Sequence, residues 1–165
     1  MIAVLVVIAT VAFMEWVAWA AHKYIMHGWG WGWHKSHHEE RHGAFEMNDL
    51  YAVVFAVIAI GMFAAGEWWW RPATWVAIGV TLYGVLYFVA HDGLVHKRWP
   101  FTYIPRKGYA KRLYQAHRLH HAVEGKEGCV SFGFIYAKPV KDLVKELDHN
   151  RKIDRAALDE VQDGR

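Results

Sequence analysis

Twelve histidines occur in 165 residues, and ten of them fall into four tight clusters. In chain order these are His22 and His27, then His34, His37 and His38, then His91 and His96, then His117, His120 and His121. A wide pair followed by a close trio therefore occurs twice, with two apolar segments between the copies. Imidazole is the preferred ligand of borderline transition metals such as iron, zinc and copper. One ion takes roughly four to six ligands, so ten suit two ions and overfill one. The pattern predicts a histidine-rich two-metal centre.

Each helical residue turns by about 100°, so positions i, i+3 and i+4 share a face. His34, His37 and His38 therefore project together, as do His117, His120 and His121, and either trio can serve one metal or two neighbouring ones. The wide pairs pose a harder problem, because five residues place two side chains about 140° apart on an ideal helix. They converge only where the helix ends, unwinds or carries a π-bulge, and Gly28 and Gly93 stand where such a break is needed. His42 and His149 lie outside the pattern and read as ordinary polar residues.

Structural zinc uses about four ligands, commonly thiolates, and catalytic zinc about three plus water. Ten histidines with no cysteine among them exceed both requirements. No H-E-x-x-H motif is present, and His37-His38-Glu39-Glu40 does not match it, which argues against a metalloprotease. Haem needs only one or two axial histidines. Two non-haem irons in an all-nitrogen shell remain, a centre suited to activating O2 against an inert C–H bond. Purified samples can carry zinc in their place, since affinity alone does not select iron. Two carboxylates are candidates for fixing imidazole orientation: Asp92 adjoins His91, and Glu15 lies two helical turns before His22. Glu15 is also an ionisable residue inside an apolar segment, which is costly and hence a functional candidate.

The elements that must position these groups are apolar helices. Residues 2–21 contain one charge, Glu15, while 50–66 and 73–90 contain none. Each is close to the roughly 20 residues that cross a hydrocarbon core about 30 Å thick. So short a chain could not enclose three helices apolar on every side, so an all-α integral membrane protein with three spans is expected. The first span has no Lys or Arg before it and carries His22 at its end, so it reads as a retained anchor and not a cleaved signal. Three spans put all four histidine clusters on one membrane face. Lys23, Lys35, Arg41, Lys97, Arg98, Arg106, Lys107, Lys111, Arg112 and Arg118 flank the spans on that face, against Arg71 alone on the other. The histidine face is thus expected in the cytoplasm and the N-terminus outside, in a bacterial inner membrane.

Trp68, Trp69 and Trp70 on the outer side, and Trp29, Trp31, Trp33 and Trp99 on the inner, read as interfacial anchors. Pro72 suits the start of the third span, and Asn48 or Asp49 can cap the second. Residues 1–137 form the membrane domain and 138–165 a polar cytoplasmic tail. In the tail Val140, Leu143, Val144 and Leu147 recur at helical spacing, which predicts a solvated surface helix. Cys129 stands alone and excludes an internal disulfide. The net charge of +3 is explained by membrane orientation, so no nucleic-acid partner is expected.

Four runs carry a family likeness: His34-Lys-Ser-His-His-Glu-Glu, residues 43–56, His91-Asp-Gly-Leu-Val-His96 and residues 117–134. In these the chain resembles the membrane fatty-acid hydroxylase/sterol desaturase superfamily and, within it, the bacterial β-carotene 3-hydroxylases. The likeness runs from the first span to about Tyr136. It implies a di-iron centre held by all ten clustered histidines, with O2 as co-substrate and a carotenoid taken from the bilayer. It implies hydroxylation at C3 of the β-ionone rings, giving β-cryptoxanthin and then zeaxanthin. It also implies an outside electron donor, ferredoxin with its reductase, and the chain has no Gly-rich dinucleotide motif of its own. Arg106, Lys107, Lys111 and Arg112 form a basic patch able to meet an acidic donor or anionic membrane lipids. Other lipid oxygenases (a carotenoid ketolase, a fatty-acyl or sterol hydroxylase) and a non-catalytic metal-binding membrane protein are the alternatives.

Overall fold

A computed structural model describes residues 1–98 and 102–163, so Trp99 lies outside the described residues. Among these the chain is helical throughout, with no strand. Helix α1 (Ile2–Ala20) runs without interruption into a π-helical segment, π1 (Ala21–Trp29). The short α2 (Trp31–His38) follows, then α3 (Asp49–Trp68) and α4 (Pro72–Tyr87), which continues into a second π-helical segment, π2 (Phe88–Val95). Helices α5 (Gly108–His120) and α6 (Val140–Asp163) complete the chain.

Three continuous helices are long and apolar enough to cross a membrane: Ile2–Trp29, Asp49–Trp68 and Pro72–Val95. Their side chains require lipid, because large apolar groups point outward instead of into a core. Ile8 is 60% exposed, Val57 62% and Ile60 67%, a surface that water would not tolerate over such length. Helix α4 is the central span and packs on both α1 and α3. The α1–α4 crossing is close, since a Cβ at Gly79 would sit 2.5 Å from Cβ of Thr10. Small residues permit such approach in bilayers, where packing and not hydrophobicity drives helix association. Pro72 occupies the first turn of α4, where its missing N–H costs nothing. Met14, Ala18, Ala59, Val80, Tyr83 and Phe134 form the core between the spans.

The remainder closes one end of this bundle. Helix α5 packs on π2, and α6 packs on α5. Leu143 and Leu147 are buried against Ala116, Val130 and Ala137. The expectation of a solvated surface helix after residue 138 is therefore corrected: α6 is amphipathic, as the spacing implied, and its apolar stripe is buried against α5. The capping expectation also changes. Asn48 stands at the N-cap of α3 without a side-chain cap bond. Its neighbour Asp49 accepts the Glu46 N–H at 2.9 Å and ties down the preceding turn.

Candidate metal centre

The wide pairs converge because π-helix runs between the members of each, with His96 capping the second segment. Hydrogen bonds run five residues back, from Gly30 N–H to Ile25 O at 2.8 Å and from His96 N–H to His91 O at 2.9 Å. At roughly 4.4 residues per turn, positions i and i+5 are only about 50° apart. The His22 and His27 rings are accordingly 5.2 Å apart, and those of His91 and His96 4.5 Å. The chain kinks at Gly28, freeing α2 to turn back over π1.

The ten histidines gather at the end of the bundle, eight of them in two sets of four. One set comprises His22, His27, His34 and His120, the other His37, His91, His96 and His117, with the nitrogens of each set within 4.8 Å of one another. Each trio is divided between the sets. The first histidine of a trio joins its own wide pair, and the middle one crosses to the other pair. His38 and His121 stand at the boundary, their rings 4.4 Å apart. His38 also neighbours His27, His34 and His120, while His121 neighbours His37, His96 and His117.

The hydrogen bonds decide which ring nitrogens are free. Nδ1 donates to a backbone carbonyl in four cases: His22 to Phe132, His27 to Lys126, His38 to Val123 and His120 to Val130, at 2.8–3.1 Å. It donates to side-chain oxygens in three more, His34 to Asn48, His37 to Glu46 and His91 to Asp92, at 2.7–2.9 Å. With the proton fixed on Nδ1, each Nε2 presents a lone pair to the interior. Yet Nε2 atoms face one another at 3.1 Å (His22–His34, His34–His27, His37–His91) and 3.2 Å (His27–His120). With Nδ1 protonated, no proton lies between such pairs, and the facing lone pairs form a pocket suited to a cation. Nε2 of His38 is buried with no protein partner, which fits the same explanation. Metal–nitrogen bonds of ~2.1 Å put ligands about 3.0 Å apart at right angles and about 3.4 Å apart in a tetrahedron. The observed spacings match the former, a shell of more than four ligands.

Asp92 behaves as its position beside His91 suggests, and Arg98 extends the network. The Arg98 guanidinium contacts both Asp49 oxygens at 2.7 Å and lies 3.7 Å from Asp92. Glu46 and Asn48 were missed by sequence reasoning, because both look like the run-up to a helix. Glu15 touches no histidine. Its carboxyl accepts Tyr83 O–H at 2.7 Å and the N–H groups of Phe134, Ile135 and Tyr136 at 2.9–3.2 Å. It thereby fastens the chain at Phe134, whose ring stacks on His22 at 4.9 Å and meets His91 edge-on at 5.2 Å. Glu15→Ala leaves those three amides unpaired and is expected to lower stability by about 2–4 kcal/mol, read as a lower melting temperature in detergent. Trp31 differs from the anchor role expected for it: it packs on His27, His34 and His38, while Trp29 remains 85% exposed.

Burial and crowding by other imidazoles hold these rings neutral. Desolvation, with neighbouring imidazoles and, at His96, the Arg98 charge, brings His34 to about 3, His38 and His96 to about 4 and His121 to about 2, from 6.5, against the opposing hydrogen bonds of His34 to Asn48 and His38 to Val123. His37, His117 and His120 are also held well below the ordinary value, chiefly by burial. The unfolded chain thus binds more protons than the folded one below pH ~6.5, and stability is lost as pH falls from there. Protons compete with metal for the same Nε2 atoms in the same direction. Metal content and melting temperature are expected to be flat above pH ~7 and to fall together between pH ~6.5 and ~4. A melting temperature constant across that window would contradict the buried neutral cluster.

Beside the histidines lies an apolar cavity of about 600 Å³ between α1, α3 and α4. Met14, Phe55, Ala59, Phe63 and Val80 line its membrane portion, and Tyr87, Asp92 and Phe134 its inner end. The Tyr87 ring stacks on His91 at 4.6 Å, so this end adjoins the second set of histidines.

Comparison with known proteins agrees with this geometry. Residues 7–140 match the fatty acid hydroxylase family. A beta-carotene hydroxylase of Pantoea ananas is 60% identical over 97% of this chain and 91% of its own length. One of Paracoccus sp. (strain N81106 / MBIC 01143) is 66% identical over 87% and 89% respectively. The chloroplastic beta-carotene 3-hydroxylase 2 of Arabidopsis thaliana is 36% identical over 89% of this chain and 49% of its own. No solved structure matches. From the first span to the start of α6, where all ten clustered histidines lie, the chain belongs to the fatty acid hydroxylase family.

Proposed function

We propose that this chain is a carotenoid ring hydroxylase acting at C3 of the β-ionone rings of β-carotene, giving β-cryptoxanthin and then zeaxanthin. The observation that carries the reading is the convergence of histidine Nε2 lone pairs at the inner end of an apolar cavity between membrane spans. Relatives of 60–66% identity named beta-carotene hydroxylase support the substrate class. Per hydroxylation, C–H, O2, two electrons and two protons give C–OH and water.

His22, His27, His34, His38 and His120 would hold one iron and His37, His91, His96, His117 and His121 the other. Bound there, the iron pair supplies O2 activation and attack on an unactivated C–H bond. The Nδ1 acceptors keep seven of the ten imidazoles (His22, His27, His34, His37, His38, His91 and His120) in the required tautomer and orientation. The cavity takes an apolar ring from the bilayer and excludes water from the reaction. Residues 1–137 carry this activity, and 138–165 are accessory to it. The histidine end faces the cytoplasm of the inner membrane, consistent with the concentration of Lys and Arg there. Ferredoxin with its reductase supplies the electrons.

Co-expression in a bacterium that accumulates β-carotene tests this. Mass spectrometry of the pigments is expected to show one and two added oxygens at C3, absent in a His120→Ala control. Unchanged β-carotene, with folded protein in the membrane and a donor supplied, would move the assignment to a fatty-acyl or sterol substrate.

A further inference from the structure

We propose that a groove formed by residues 104–106, α5 and the start of α6 docks the acidic one-electron carrier protein that reduces the metal centre. The inference rests on the oxygenase reading above and adds where the electrons enter. The groove is an open concavity of about 550 Å³. Arg106, Lys111 and Arg118 form its rim, while Tyr114, Leu119 and Val140 contribute an apolar floor. All three cations are exposed, and none pairs with a carboxylate among the described residues. The stretch that supplies most of the groove has one sign: residues 93–123 contain seven Lys and Arg and no Asp or Glu, while the start of α6 adds Asp142 beside Lys138 and Lys141. Such a field steers an acidic partner and raises its association rate.

Position makes the partner an electron carrier. Lys111, Gln115 and Arg118 lie within about 60° of one another around α5, and His120 projects about 180° from Lys111. His117 projects about 120° and His121 about 80° from Lys111, so His120 lies opposite the groove across a helix about 10 Å wide, while His121 borders the groove side. Arg118 is the immediate neighbour of His117, and Leu119 of His120. The spans α1, α3 and α4 present apolar surfaces, so a water-soluble carrier approaches through the cover formed by α2, α5 and the segments at 39–48 and 121–133, of which α5 carries the cationic groove. Each docking delivers one electron, the carrier being oxidised, and two dockings complete one hydroxylation. An apolar floor inside a cationic rim suits a folded protein, whose interface has an apolar centre and charged edge, better than a lone lipid phosphate.

The test uses metal-loaded full-length enzyme in phosphatidylcholine nanodiscs, with and without phosphatidylglycerol, and purified ferredoxin with its reductase. Charge reversal (Arg106→Glu, Lys111→Glu, Arg118→Glu together) is expected to raise the KM for reduced ferredoxin and its Kd by about tenfold or more, with kcat within about twofold. The wild type should weaken by a similar factor as salt rises from about 50 to about 300 mM, and the variant should not. With dithionite and a mediator in place of ferredoxin, wild type and variant should turn over equally. The corresponding triple Gln variant should fall between the two. Unchanged KM and Kd would overturn the proposal. So would an effect confined to phosphatidylglycerol nanodiscs, which would make the groove a lipid headgroup site. Absence of turnover in wild type with dithionite would count against the oxygenase reading, while the ferredoxin Kd would still decide the docking surface.

Discussion

Replacing His120 with alanine is expected to remove one metal ion of two and to lower hydroxylation about a hundredfold or more, beyond the 10–100-fold typical of residues that only orient ligands. His120 is fully buried, its Nδ1 donates to Val130 O, and its Nε2 lies 3.2 Å from that of His27. His117→Ala, one turn away on the same helix, is expected to empty the other site, because His117 belongs with His37, His91 and His96. Metal per folded protein, measured by mass spectrometry alongside product formation, separates the two variants. Retention of both ions and full turnover in either would remove that residue from the ligand set.

Filling the membrane cavity should abolish turnover without touching the metals. Ala59 is 7% exposed, belongs to the interhelical core and lines the cavity opposite Val80 and Tyr83. Ala59→Phe adds about 100 Å³ to a space of about 600 Å³, placed between the lipid and the histidines. The ring enters existing space, so the fold should lose no more than about 1–2 kcal/mol, while kcat/KM for β-carotene falls about thirtyfold or more. Wild-type metal content with that loss would identify the cavity as the substrate path. Undiminished turnover would place the substrate elsewhere.

The sequence made the histidine clusters, the three spans and the need for a helix break in each wide pair legible, because all three depend on periodicity. The π-segments at Ala21–Trp29 and Phe88–Val95 answer the 140° problem with the wider of the available solutions. What stayed hidden depends on contacts across long chain separations. Four imidazoles are oriented by carbonyls of Val123, Lys126, Val130 and Phe132, and every residue has a carbonyl, so nothing in composition marks these. Asn48 looked like a helix cap and instead holds His34. Glu15 looked like a partner for His22, yet its oxygens hold a strand of chain 119–121 residues away. The burial of Leu143 and Leu147 was hidden for a different reason: an amphipathic stripe reveals that a face is apolar, not what covers it.

The exchange of the middle trio histidines bears on how the centre can come into being. Neither half of the chain can close a quartet by itself: the first lacks His120, and the second lacks His37. Neither quartet is therefore complete until α5 has left the ribosome, and a chain truncated before residue 117 is expected to bind metal more weakly at both. The pattern, in which each half lends one ligand to the other, is that of a two-fold dimer, here covalently joined. Helices α1 and α4 enter the membrane in the same sense, and α3, which contributes no histidine, is the return path that lets one polypeptide make both partners.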